Sequence, residues 1–152
     1  MKNKNYVGMA LAALLISGSM FVSCGEKKEV NDVNALKDEA MAIHDEIMPQ
    51  VSFFDKQTVK IDSLIANMSS IHANNAGIDT NQLKSELSEL KGKLEGATDQ
   101  MMEWMMKYDM NPEGLSEQEL KAYFASEVEK VKNMRTVFEN VTKEASEKLS
   151  NF

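Results

Sequence analysis

The side chains best suited to binding a soft ligand fall in two short segments of the chain. In the first, His44 stands between Met41 and Met48, and spacings of three and four residues place all three on one side of a helix. The second segment contains the other candidates: Met101, Met102, Trp104, Met105, Met106 and Met110. Thioether and imidazole groups favour monovalent copper, and an aromatic ring beside them can shield the ion.

Two other interpretations account for the same residues without any cofactor. Methionine fills irregular gaps in a hydrophobic core, and a core must repack where Pro49 bends a helix. Methionine-lined surfaces also bind partner proteins. In either case His44 could simply form a hydrogen bond with Asp45. The pattern therefore leaves open an ordinary core, a protein-contact surface, and a carrier of copper or haem.

The expected register decides whether the two segments meet. A short loop at residues 75–79 implies that the helices on either side of it run antiparallel. In that arrangement His44 lies level with Met110, and Met48 lies level with Met106. A second short loop at residues 111–115 brings in the start of a further helix near the same level, namely Leu120, Tyr123 and Phe124.

Composition and missing motifs argue against an enzyme and against nucleic-acid binding. The chain has no Gly-rich phosphate loop, HExxH, GxSxG or CxxCH motif. Carboxylates such as Glu86, Glu89 and Glu127 are expected on solvated helix surfaces. A net charge of −7 opposes binding to a phosphate backbone. His72, near a helix end, is expected to be an exposed polar residue.

The N-terminal residues are typical of a secretory signal. Lys2 and Lys4 precede an uncharged apolar stretch that is too short to span a bilayer comfortably. The sole cysteine, Cys24, follows this stretch directly. A single cysteine excludes a disulfide framework or a multi-thiolate zinc site within one chain. We interpret residues 1–23 as a signal peptide and residues 24–31 as a polar tether.

The segment Phe21-Val22-Ser23-Cys24-Gly25 resembles the lipobox of bacterial lipoproteins, in the loose form common in Bacteroidetes. The resemblance implies that Cys24 carries the lipid and becomes the first residue of the mature protein. Acyl chains then supply the membrane attachment, because the acidic chain would not adhere to anionic lipid. We expect an outer-membrane lipoprotein, with the periplasmic and surface-exposed faces both open.

Residues 32–152 are expected to form three long amphipathic helices. The first begins at a cap on Asn31 or Asp32, is kinked at Pro49, and continues until Asn74-Asn75-Ala76-Gly77 ends it. The second carries a 3.5-residue apolar repeat typical of coiled-coil packing: Leu83, Leu87, Leu90, Leu94, Ala97, Met101, Trp104 and Tyr108. Gly92 and Gly96 interrupt this helix without an evident reason.

The third helix opens with a capping box, in which Ser116 caps the helix and Glu119 reaches back to it. The short loops then give an all-α fold, an elongated antiparallel three-helix bundle that runs up, down and up. The expected apolar face of the third helix comprises Leu120, Phe124, Val128, Val131, Met134, Phe138, Val141, Ala145 and Leu149.

Two motifs, Met41-Ala-Ile-His-Asp-Glu-Ile-Met-Pro49 and Met101-Met-Glu-Trp-Met105, resemble small Bacteroidetes lipoproteins often labelled "viral A-type inclusion protein". That resemblance implies a helical envelope lipoprotein and brings no known activity, cofactor or catalytic residue. The function expected from the sequence is a lipid-anchored binding or structural module with an unidentified protein partner. The alternative is a soft-metal or haem carrier that uses the Met/His cluster.

Overall fold

A computed structural model describes residues 26–152, with side chains from Asp32 onward. The predicted signal peptide and Cys24 lie outside the described residues. Within them the fold is all-α, as the sequence predicts, and no strand occurs. The described chain forms five helices: α1 (Glu26–Ile47), α2 (Pro49–Ala66), α3 (Met68–Asn74), α4 (Thr80–Lys107) and α5 (Glu117–Leu149).

The first predicted helix is divided into α1, α2 and α3 rather than only kinked. At Pro49 the backbone lacks an N–H, yet Met48 keeps helical dihedral angles and its N–H donates to the carbonyl of His44 at 2.8 Å. The second break falls at Asn67, whose φ of −103° and ψ of 17° leave the helical region. The Asn67 amide side chain donates to the Ser63 carbonyl at 2.7 Å, a local bond that competes with the helix.

Helix α1 starts at Glu26, so the prediction of a cap at Asn31 or Asp32 is wrong. The residues from Glu26 to Asn31 include good helix formers and neither Gly nor Pro, so nothing ends the helix before them. The segment predicted as a polar tether is accordingly helical from Glu26 onward.

The two other long helices begin at side-chain caps, and the capping box predicted for the third helix is confirmed. The Asp79 carboxylate accepts the backbone N–H groups of Asn81 and Gln82, and α4 begins directly after it. Ser116 and Glu119 form the reciprocal capping box at the start of α5. These caps satisfy N–H groups that the first turn of a helix leaves unpaired.

The core lies along the apolar faces that the spacing predicts. Leu90 and Leu94 of α4 are fully buried, and the half-buried ends of the seam, Leu83 and Tyr108, pack against the core from its edge. The buried face of α5 comprises Phe124, Val128, Val131, Met134, Phe138, Val141, Ala145 and Leu149. Helix α1 supplies Val33, Ala40, Ile43 and Ile47, and α2 supplies Phe54 and Ile61.

Contacts between helices show their relative directions. Asp32 pairs with Lys121 at 2.9 Å and Glu39 with Lys132 at 2.8 Å, so α1 and α5 ascend together. Near the far end Lys60 donates to the Leu149 carbonyl at 3.0 Å. Helix α4 runs the other way, since Met105 near its end contacts His44 of α1, while Lys91 nearer its start pairs with Asp62 of α2.

Candidate functional site

His44 of α1 and Met105 of α4 meet across the interface between these helices. His44 Nε2 lies 3.2 Å from Met105 Sδ, and the imidazole is 14% exposed. The other ring nitrogen, Nδ1, lies 2.9 Å from Asp45 Oδ1. The ring of Trp104 stands beside the imidazole, with 5.6 Å between the ring centroids.

The Asp45 carboxylate fixes which histidine nitrogen carries the proton. An ionised carboxylate only accepts hydrogen bonds, so Nδ1 must be the donor in this pair. In the neutral imidazole Nε2 then has no hydrogen and presents a lone pair. That lone pair faces a thioether sulfur, which is also an electron-pair donor. An imidazole nitrogen and a soft thioether sulfur therefore converge on one point at the side of the bundle.

The predicted residues divide into an inner and an outer group. Met41 and Met48 are half-buried and, like Met105, pack against the core. Met101 and Trp104 are buried. The outer group is exposed, with 44% exposure for Met102, 79% for Met106 and 55% for Met110.

Near His44, the register between α1 and α4 differs from the expected one by more than a helical turn. His44 was expected level with Met110, and it lies instead against Met105. Nearer the loop, Asp62 pairs with Lys91 at 2.7 Å, in keeping with the predicted register. The interruption at Met48 separates the two contacts, and the offset arises across it, because a break in the helix changes the rise and direction of the chain.

The start of α5 reaches this end of the molecule, as the second short loop predicts. The Asp109 backbone N–H donates to Tyr123 Oη at 2.8 Å, and the Phe124 ring meets the Tyr108 ring edge-on at 6.3 Å between centroids. His72 is exposed, also as predicted.

A buried carboxylate that the sequence placed on the surface completes the surroundings of Trp104. The expectation that Glu127 is solvated is wrong, since it is only 3% exposed. Its Oε2 accepts the indole N–H of Trp104 at 2.8 Å, and its Oε1 pairs with Lys130 at 2.6 Å. Two signals pointed to this: Glu127 adjoins Val128 on the apolar face of α5, and a buried indole needs an acceptor.

Tyr108 stacks on the ring of Trp104. Its ring lies 4.7 Å from the Trp104 ring, and its hydroxyl oxygen is buried without a hydrogen-bond partner. Burial raises the pKa of the Tyr108 phenol, with the nearby Tyr123, Glu127 and Asp38 adding to the effect. The phenol is therefore held neutral.

A groove of about 400 Å³ runs between α4 and α5 beside Trp104. Trp104, Met134 and Val137 contribute apolar surface to it, and Lys107 and Lys130 also line it. Both lysines are already paired with carboxylates, Lys107 with Glu103 and Lys130 with Glu127.

The described residues thus define an all-helical protein with a histidine–methionine contact beside a buried tryptophan. They contain no group of three or more His, Cys, Asp or Glu side chains placed to hold a metal ion. None of their helices has the length and apolar character needed to cross a membrane. Compared with models of protein families, with curated proteins and with solved structures, the chain matches none.

Proposed function

We propose that this chain is a lipid-anchored protein of the bacterial outer membrane that acts as a helical binding module. The lipobox-like segment around Cys24 supports the anchor, and so does the resemblance to small Bacteroidetes lipoproteins. The absence of enzyme motifs from the sequence supports a binding role over catalysis.

The proposed scaffold is an up-down-up bundle with three arms. Helices α1 to α3 follow one another with single-residue breaks and form the first arm, while α4 and α5 form the second and third. The parallel pairing of α1 with α5, and the opposite direction of α4, support this arrangement.

The observation that carries the binding role is the row of exposed methionines on α4 and just beyond it. Met102, Met106 and Met110 are spaced by four residues and are among the most exposed large apolar side chains of the described residues. Their neighbours on the buried side, Met101 and Met105, pack against the core. Flexible thioether side chains suit a surface that adapts to a partner protein.

The anchor is tested by acyl labelling in the native host. We expect Cys24→Ala to abolish labelling and to leave an uncleaved or soluble form, because lipid attachment at the cysteine precedes cleavage in lipoproteins of this kind. The wild-type chain should carry label and sediment with membranes. Labelled, membrane-bound mature protein from the mutant would contradict the proposal.

The contact surface is tested by photo-crosslinking in the same cells. A photoreactive residue at position 106 should give a discrete adduct of defined mass, whereas one at the exposed Glu139 of α5 should not. Replacing both Met102 and Met110 by glutamate should remove the adduct while leaving the helical content unchanged. An adduct that persists unchanged in that double variant would show that the methionine row does not form the contact.

A further inference from the structure

We propose that His44 and Met105 form a binding site for monovalent copper. Nitrogen and sulfur ligands bind a metal at about 2.0 and 2.3 Å, so at a tetrahedral angle the two ligand atoms lie about 3.5 Å apart. His44 Nε2 and Met105 Sδ are 3.2 Å apart, which is close to that separation. The two donors need only a small opening to hold one ion between them.

The surroundings of His44 already have the form of a metal site. The Asp45 carboxylate at 2.9 Å holds the Nδ1 proton, which directs the free lone pair of Nε2 toward the sulfur. Carboxylate–histidine pairs of this kind orient metal-bound imidazoles and raise their basicity. The Trp104 ring, 5.6 Å away between centroids, covers one side, where a cation is attracted to an aromatic face.

A third ligand is available from the same face of α1. Met41 precedes His44 by three residues and Met48 follows it by four, so both flank the imidazole at one helical turn. Both side chains are half-buried. Methionine has three rotatable side-chain bonds, and either thioether reaches the site by a change of rotamer.

The ligand set selects the metal. Thioethers favour monovalent copper, whereas zinc and other divalent ions prefer thiolate, imidazole and carboxylate ligands in larger number. Haem does not fit between these donors, because ligands on opposite faces of its iron lie about 4.3 Å apart by the same bond lengths. The site therefore takes a single soft ion.

The experiment uses the full chain, purified in detergent, so it does not depend on the anchor or on a protein partner. Monovalent copper is titrated anaerobically with a reductant and a competing chelator. Trp104 is the only tryptophan of the chain and lies beside the site, so its fluorescence reports binding there. We expect one equivalent to bind with a change in that fluorescence.

The variants separate this site from the exposed methionines. Met105→Leu keeps the side-chain volume nearly constant and should weaken binding at least tenfold, as should His44→Ala. Asp45→Asn should weaken binding by roughly 10- to 100-fold, the effect typical of outer-shell carboxylates. Met106→Leu is the matched control and should bind like the wild type.

Met105→Leu decides the outcome if His44→Ala fails to fold, and circular dichroism verifies that the variant keeps its helices. Equal affinities for the wild type and Met105→Leu would overturn the proposal. So would a loss of binding in Met106→Leu alone, which would assign the copper to the outer methionines. Failure here leaves the row of exposed methionines, tested separately by crosslinking, unaffected.

Discussion

Trp104 connects polar groups from two neighbouring helices around a single buried ring. Its face lies beside His44 and stacks on Tyr108, while its indole N–H is bonded to Glu127. A buried carboxylate is costly unless it is paired and hydrogen-bonded, and Glu127 has both kinds of partner. The ring therefore fixes α4 against α1 and α5 at the same level.

Glu127→Leu should lower the free energy of unfolding by roughly 1–3 kcal/mol, since the buried indole N–H of Trp104 would lose its acceptor. Glu127→Gln should cost less, because the amide oxygen can still accept this hydrogen bond. Urea denaturation measures both variants. A leucine variant as stable as the wild type would show that the Trp104–Glu127 bond contributes nothing net.

Tyr108→Phe should raise the free energy of unfolding by about 1 kcal/mol, because it removes a buried hydroxyl that has no partner. The matched control, Tyr123→Phe, should lower it, since the Tyr123 hydroxyl accepts the Asp109 backbone N–H. Destabilisation in both variants would indicate that the Tyr108 hydroxyl is bonded in solution.

The raised pKa of the Tyr108 phenol adds a pH dependence with a definite sign. Above about pH 10, where an ordinary phenol ionises, the unfolded chain loses this proton before the folded chain does. The folded state then binds more protons, so stability falls as the pH rises through this range. Tyr108→Phe should reduce that fall relative to the wild type in parallel denaturation curves.

Residue types and spacing predicted His44 and the methionines around it, but not the buried carboxylate of Glu127. Met41, His44 and Met48 share a face because helical geometry is regular over seven residues. Glu127 was misplaced because its charge suggested solvent, and only the position of the Trp104 N–H across the interface makes its burial favourable. That position depends on a register the sequence fixes poorly.

At the scale of the helix, α4 combines a continuous buried seam with two glycines on its outer side. An ideal Cβ atom built on Gly92 or on Gly96 meets no other atom within 4 Å. Neither glycine is therefore required by close packing. Glycine inside a helix costs about 1 kcal/mol relative to alanine.

Gly92→Ala and Gly96→Ala should each raise the free energy of unfolding by about 1 kcal/mol. Leu90→Ala, in the same helix but fully buried, should lower it by ~2–5 kcal/mol through loss of contacts and the cavity left behind. Thermal and urea denaturation compare the three variants. A destabilising alanine at position 92 or 96 would show that the glycine has a packing or backbone role within the folded chain, against the open space around it.

The offset between α1 and α4 can be tested by cysteine pairs in a Cys24→Ala background. Cysteines at positions 44 and 105 should form a disulfide readily, because these side chains touch across the interface. The pair at positions 48 and 106, which the loop-based register would bring together, should react more slowly, since Met106 points to solvent. The reverse order would restore the register expected from the loop.

The breaks explain why helix type was predictable and register was not. Apolar residues at spacings of three and four predict the helices α4 and α5 almost in full, and the Ser116–Glu119 pattern predicts the cap of α5. The same spacing continues in phase through Pro49 and Asn67, so it gives no sign of two separate breaks. The offset appears beyond the break at Met48, because the pair of Asp62 and Lys91, on the loop side of that break, keeps the predicted register.

In the whole molecule, opposite ends carry different features. The pair Asp32–Lys121 joins the starts of α1 and α5, and the residues just before α5 include Met110. The other end holds α3 and, near Lys60, the end of α5. Helix α5 alone has 33 residues, and at 1.5 Å per residue it is about 50 Å long.

If acyl chains hold the protein at Cys24, the two ends of the bundle lie at different distances from the lipid headgroups. Residues near the start of α5 lie close to the bilayer, and the loop at residues 75–79 lies farthest from it. A fluorophore attached through Glu113→Cys should be quenched by quencher-bearing lipids more strongly than one attached through Gly77→Cys. Lipidation occupies Cys24, so each label has a single site. Equal quenching at both positions would mean that the bundle lies flat on the membrane. The rotation of the bundle about its long axis would then decide whether the methionine row faces lipid or solvent.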